Sequence, residues 1–202
     1  MRLFLIIILA FFSSCKATEY ATFIANEVDS YKLEKTDSLV DIGCGNGVHD
    51  KAIAHAYPNL FFILEDLPVD WNKNDLQKLL TKFLKNDQYA PTIEQKYKFI
   101  PGYIDSIPLP SSSYKVVLCR FTLHEFSKRD KMISELNRIL TDDGILIISE
   151  KEPNYEGERD KYCKQKYLAK VEIINMFKPM KLKEETTLTL KKDKLNVLKF
   201  QK

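Results

Sequence analysis

From about residue 18 the apolar positions of the chain switch repeatedly between a helical and a strand period. Tyr20, Phe23, Ile24, Val28 and Tyr31 recur at intervals of three and four, which predicts a first helix with one buried face. Short apolar strands are predicted over Ser38 to Ile42, Leu60 to Leu64, Tyr97 to Ile100, Tyr114 to Cys119 and Ile145 to Ser149. Helices separate them. One runs from Val48 to Tyr57 and is stopped by Pro58. A second carries the stripe Leu76, Leu79, Leu80, Phe83 and Leu84, and a third carries Met132, Ile133, Leu136, Ile139 and Leu140 up to a turn at Asp142-Asp143-Gly144. A longer helix bearing Cys163, Tyr167, Val171, Ile174 and Phe177 precedes a hairpin, Glu184 to Leu190 and Leu195 to Phe200, turned by Lys192-Asp193. This alternation predicts an α/β fold: a doubly wound, mostly parallel sheet of seven strands with helices on both faces and an antiparallel end. Right-handed crossovers then put a ligand crevice at the carboxyl ends of the strands.

The glycines sharpen that expectation. The chain has six, and Gly43, Gly45 and Gly47 fall within Leu39-Val40-Asp41-Ile42-Gly43-Cys44-Gly45-Asn46-Gly47, a buried strand running into a turn and then a helix. Without Cβ atoms these positions permit positive φ and let a ligand lie against the backbone, beside the free N–H groups of a helix start. A dinucleotide fingerprint would require Gly or Ala at position 48, where Val48 stands, so nicotinamide and flavin cofactors are disfavoured. At 202 residues, 45% hydrophobic and 29% charged, the chain is an ordinary folded domain. Its net charge of +3 predicts no basic face for nucleic acid.

The glycine turn resembles the first motif of the class I S-adenosylmethionine-dependent methyltransferases, and further motifs follow in that family's order. The resemblance implies a Rossmann-like fold, S-adenosylmethionine as cofactor and a small-molecule methyl acceptor, with O- or C-methylation as the reaction. It implies that Asp41, Gly43, Cys44, Gly45, Asn46 and Gly47 line the methionine end of the cofactor. In Ile63-Leu64-Glu65-Asp66-Leu67-Pro68 the strand ends on an acid for the ribose hydroxyls; the Asp-Leu-Pro likeness favours Asp66, with Leu67 beside it, over Glu65. Asp105 and Ser106 of Asp105-Ser106-Ile107-Pro108-Leu109-Pro110 correspond to the adenine contact, although Ile104 replaces the glycine usual before that acid. Arg120-Phe121-Thr122-Leu123-His124-Glu125-Phe126 looks like the loop facing the transferable methyl group, with Arg120 on the cofactor side. His124 is there either a general base for a hydroxyl acceptor or a packing residue. The (Asp/Asn)-Pro-Pro-aromatic signature of amino-nucleobase methyltransferases is missing from this place. A protein of the same fold that binds S-adenosylmethionine without transferring its methyl group is the alternative.

The N-terminus points elsewhere. Met1-Arg2 and the apolar run Leu3 to Phe12 resemble an export signal, about half the length that a helix needs to span a bilayer. Phe12-Ser13-Ser14-Cys15 resembles a bacterial lipobox, which implies a leader over residues 1–17, a domain over 18–202 and attachment to a membrane surface through lipidated Cys15; the alternative is a cytoplasmic chain. Cys15, Cys44, Cys119 and Cys163 contain no CxxC pair, so their spacing predicts free thiols and no metal site.

Overall fold

The computed structural model describes residues 19–33, 35–45, 47–66, 97–103 and 105–202. Asn46, Leu67, the helix expected around Leu76 to Leu84, and the leader with Cys15 lie outside the described residues. Helix α1 covers 19–31, and β1 (Ser38–Ile42) leads through the glycine turn into α2 (Val48–Ala56). Then follow β2 (Phe61–Asp66), β3 (Tyr97–Pro101), β4 (Tyr114–Arg120), a single 3-10 turn (Leu123–Glu125) and α3 (Arg129–Ile139). The chain ends with β5 (Leu140–Glu152), α4 (Lys170–Met176), β6 (Lys181–Leu190) and β7 (Asp193–Gln201).

The seven strands form one sheet in the order β3-β2-β1-β4-β5-β7-β6. The first five run parallel, and β7 lies antiparallel to both β5 and β6. From β1 the chain builds outward on one side and then returns to build on the other, so β1 and β4 flank the switch point where a crevice opens. Alternation along the strands feeds two cores. Leu39, Phe62, Leu64 and Leu118 pack with Val28, Tyr31 and Ile53 of α1 and α2, whereas Val40, Ile63, Val117 and Cys119 pack with Met132 and Leu136 of α3 and with Ile173 of α4. A strand buried on both faces reads as a continuous apolar run, which is why the central strands were visible in the sequence.

Two local expectations are corrected. The longer helix through Cys163 is confined to Lys170–Met176. Residues before it form a tight loop, because the Asp160 carboxylate accepts the backbone N–H groups of Tyr162 and Cys163 and Lys164 takes a positive φ of 63°. Asp142, Asp143 and Gly144 do not separate α3 from β5 either: Leu140 already pairs with Tyr114, and these residues form an irregular start to β5. Burial of Leu140 draws the chain into the sheet directly after the helix.

Candidate active site

The turn after β1 is shaped for close approach. Gly43, Gly45 and Gly47 have φ of 75°, 58° and 69°, the left-handed region that costs an L-residue roughly 1–2 kcal/mol. Gly43 and Cys44 donate their N–H groups to the Glu65 carbonyl at 2.8 and 3.1 Å, tying the turn to the end of β2. Across the switch point the Thr122 hydroxyl donates to the Gly43 carbonyl at 3.0 Å, and a Cβ on Gly43 would run into the Thr122 side chain. A Cβ on Gly45 would meet nothing within 4 Å. Gly43 is therefore required by the fold, while Gly45 leaves open space above the turn.

That space belongs to a cleft of about 350 Å³ lined by Gly43, Cys44, Gly45, Glu65, Asp66 and Arg120, among others. Asp66 caps it, its Oδ2 accepting the Gly45 N–H at 2.5 Å. Glu65, 3% exposed, is pushed up to about 8 by burial and then by the neighbouring Asp66 charge. Asp41, on β1 two residues before the turn, is 2% exposed and outside the cleft lining, and its Oδ1 finds no donor among the described residues. Neither carboxylate oxygen of the fully buried Asp50 finds one. Burial pushes Asp41 up to about 7, and burial together with the Asp41 charge pushes Asp50 well above the usual carboxylate range.

Arg120 is fixed from α1. Its Nε and Nη2 donate to the two oxygens of Glu27 at 2.8 and 3.0 Å, and Glu27, fully buried, also accepts from Tyr31 (2.8 Å) and Ser149 (2.7 Å). Burial works against the Glu27 charge, yet these bonds hold its carboxyl below the usual range. Beside the Tyr31 hydroxyl, His49 is pushed down to about 3 by burial and then by the Arg120 charge, so it is neutral. Phe121 follows with a positive φ of 52°, unusual for a bulky residue, and the Arg120 guanidinium sits 4.4 Å above its ring.

A second pocket, of about 460 Å³, adjoins the cleft and shares Arg120, Phe121 and Glu125 with it. His124, Tyr162 and Tyr167 also line this pocket. His124 is 2% exposed; its Nδ1 faces Glu150 Oε2 at 2.9 Å and its Nε2 has no hydrogen-bond partner among the described residues.

The structure thus gathers Gly43, Cys44, Gly45, Asp66 and Arg120 around one cleft, with Asp41 buried behind the turn, Gly47 at the start of α2 and His124 in the pocket next door. Asp105 and Ser106 are not in the cleft lining. The Asp105 carboxylate pairs with Lys128 (2.7 Å) and Lys131 (3.6 Å), and Ser106 bridges to Tyr103, which itself stands at the cleft wall. Sequence reasoning missed Glu27, Asp50 and Tyr103. A single acid in the apolar stripe of α1 was the one available sign of Glu27.

A family model described as a methyltransferase domain matches residues 40–148. The chain is 26% identical over 110 residues to the uncharacterized methyltransferase YcgJ of Bacillus subtilis, covering 54% of this chain and 39% of that protein. It is 26% identical over 148 residues to the ubiquinone/menaquinone biosynthesis C-methyltransferase UbiE of Campylobacter jejuni, covering 71% of this chain and 57% of UbiE. The chain therefore spans less than two thirds of the length of these curated relatives. Among solved structures it resembles a SAM-dependent methyltransferase from Aquifex aeolicus, with a TM-score of 0.66 over 88% of each chain at 14% identity.

Proposed function

The chain belongs to the methyltransferase domain family, and we propose that it methylates an oxygen or carbon of a small molecule. Its cofactor is S-adenosylmethionine, which when bound supplies a sulfonium-activated methyl group open to direct displacement. The residues present fit that molecule. The observation that carries the reading is the cleft over the left-handed glycine turn, where Gly45 leaves open space beside Asp66 at the switch point of the sheet and Asp41 Oδ1 has no partner among the described residues.

In this reading Asp41 takes the ammonium of the methionine moiety, a charge-assisted contact. The backbone from Gly43 to Gly47 lies along the cofactor, and Asp66 takes the ribose hydroxyls. Arg120, locked by Glu27, and Phe121 separate the cleft from the 460 Å³ pocket, which receives the acceptor. Holding two reactants in line and excluding water is the main protein contribution to such a displacement. No protein base is needed, so the reading does not depend on His124. A small-molecule acceptor is supported by the likeness to UbiE, a C-methyltransferase of ubiquinone/menaquinone biosynthesis.

Calorimetric titration with S-adenosylhomocysteine tests the proposal. Micromolar binding is expected, weakened about 30- to 150-fold in Asp66→Ala, the equivalent of about 2 to 3 kcal/mol for charge-assisted bonds. No binding by the wild-type protein would overturn the function, and unchanged affinity in the variant would remove Asp66 from the site.

A further inference from the structure

We propose that His124, Glu125 and Cys163 bind one divalent cation of the zinc class at the wall of the acceptor pocket. One donor atom from each of the three lies within 4.8 Å of the others. They come from two separate parts of the chain. His124 and Glu125 sit on the 3-10 turn after β4, and Cys163 sits on the loop between β5 and α4.

The buried histidine is the observation that distinguishes this cluster from a chance grouping. A carboxylate can only accept, so the 2.9 Å contact with Glu150 makes Nδ1 the donor and leaves Nε2, 4.0 Å from Glu125 Oε1, as the free ring nitrogen on the cluster side. Nε2 is buried without a hydrogen-bond partner among the described residues, an arrangement that leaves a buried nitrogen uncompensated. Glu150, fully buried, also accepts the His124 backbone N–H at 3.3 Å, so ring and backbone are both held. Carboxylate–histidine–cation is the usual arrangement by which an outer partner orients a ligating imidazole.

The cysteine is held as firmly. Asp160 accepts the Tyr162 and Cys163 N–H groups with one oxygen and the Tyr167 hydroxyl with the other, at 2.6, 2.9 and 2.6 Å. The Tyr167 ring in turn packs 5.1 Å from the His124 ring, joining the loop to the histidine.

The donor set selects the cation. One sulfur, one imidazole nitrogen and one carboxylate oxygen suit a borderline-soft metal, whereas magnesium and calcium demand oxygen ligands. Tetrahedral bonds of about 2.0 to 2.3 Å place donors roughly 3.3 to 3.8 Å apart. His124 Nε2 and Glu125 Oε1 are 4.0 Å apart and all three donors lie within 4.8 Å, so the cluster must tighten by up to about 1 Å on a cation, for which the half-exposed Glu125 side chain has room. Three protein ligands leave a fourth position for water or an acceptor oxygen. A cation on Nε2 uses the lone pair that a general base needs, so the histidine expected as a base becomes a ligand.

The test uses full-length protein stripped with a chelator and then titrated with Co²⁺ or Zn²⁺ alone. One equivalent of Co²⁺ should give a thiolate charge-transfer band that Zn²⁺ displaces. Cys163→Ser should abolish the band and Cys44→Ser should keep it, while Glu150→Gln should weaken Zn²⁺ binding about 10- to 100-fold, as expected for an outer partner. No band, or one that survives Cys163→Ser, would overturn the site. S-adenosylhomocysteine titration of the same samples reads the cofactor cleft and the fold separately. Loss of metal with intact cofactor binding therefore rejects only the cation site.

Discussion

Glu27 and Arg120, 93 residues apart, meet in a two-pronged ion pair that fastens α1 to the carboxyl end of β4. Glu27 is fully buried and has no water to fall back on, whereas the Arg120 side chain is 17% exposed, to the cleft and the pocket that it lines. The pair is thus both a clasp between elements and a wall of the cleft.

Arg120→Ala should destabilise the protein by about 3 to 5 kcal/mol, because it leaves the Glu27 carboxylate buried with only Tyr31 and Ser149 as donors. Replacing both partners, Glu27→Leu with Arg120→Met, should cost less than the sum of the two single changes. Urea unfolding of the four proteins measures this. Additive losses would show that the pair is not coupled.

Gly43→Ala and Gly45→Ala separate fold from binding. Both impose about 1–2 kcal/mol of left-handed strain, but a Cβ at Gly43 also displaces Thr122 and its bond to the turn. Gly43→Ala should be the less stable of the two in thermal melts. Gly45→Ala should fold and yet bind S-adenosylhomocysteine at least about tenfold more weakly, a loss of about 1.4 kcal/mol or more. Full affinity in Gly45→Ala would contradict the role given to the turn.

Glu65 makes stability depend on pH. Its folded value of about 8 exceeds the unfolded value of about 4.3, so the folded state holds the proton more tightly. The resulting stabilisation is complete below about pH 4 and is lost as pH rises through about 8, at a slope of at most about 1.4 kcal/mol per pH unit. Asp41 and Asp50 push in the same direction. Denaturation profiles of wild type and Glu65→Gln between pH 4 and 9 should therefore diverge, the variant losing less on the alkaline side. Parallel profiles would mean that Glu65 is ionised in the folded protein throughout.

Strands buried on both faces and a turn that demands positive φ leave local traces, so β1, β2, β4, β5 and the glycine turn were legible in the sequence, while the edge strand β3 and the hairpin showed through their short apolar or alternating runs. Partnerships between distant residues leave none. Nothing around Glu27 names Arg120 or Ser149, and nothing around Cys163 names His124, 39 positions away in the sequence. The apolar spacing of Cys163, Tyr167 and Val171 suggested a helix because periodicity cannot register that Asp160 will capture the backbone N–H groups first. Asp105 shows the converse: its motif spacing is intact, yet two lysines of the α3 region take its carboxylate at the surface.

The carboxyl end of β5 acts as a ruler for both halves of the molecule. Ser149 and Glu150 are consecutive, and consecutive strand residues point to opposite faces. Ser149 donates to Glu27 on one side of the sheet, while Glu150 grips His124 on the other. Inserting or deleting one residue in β5 would exchange these two faces at once. The length of this strand is therefore shared by the α1 clasp and the His124 pocket, and a one-residue change in it would disturb both together.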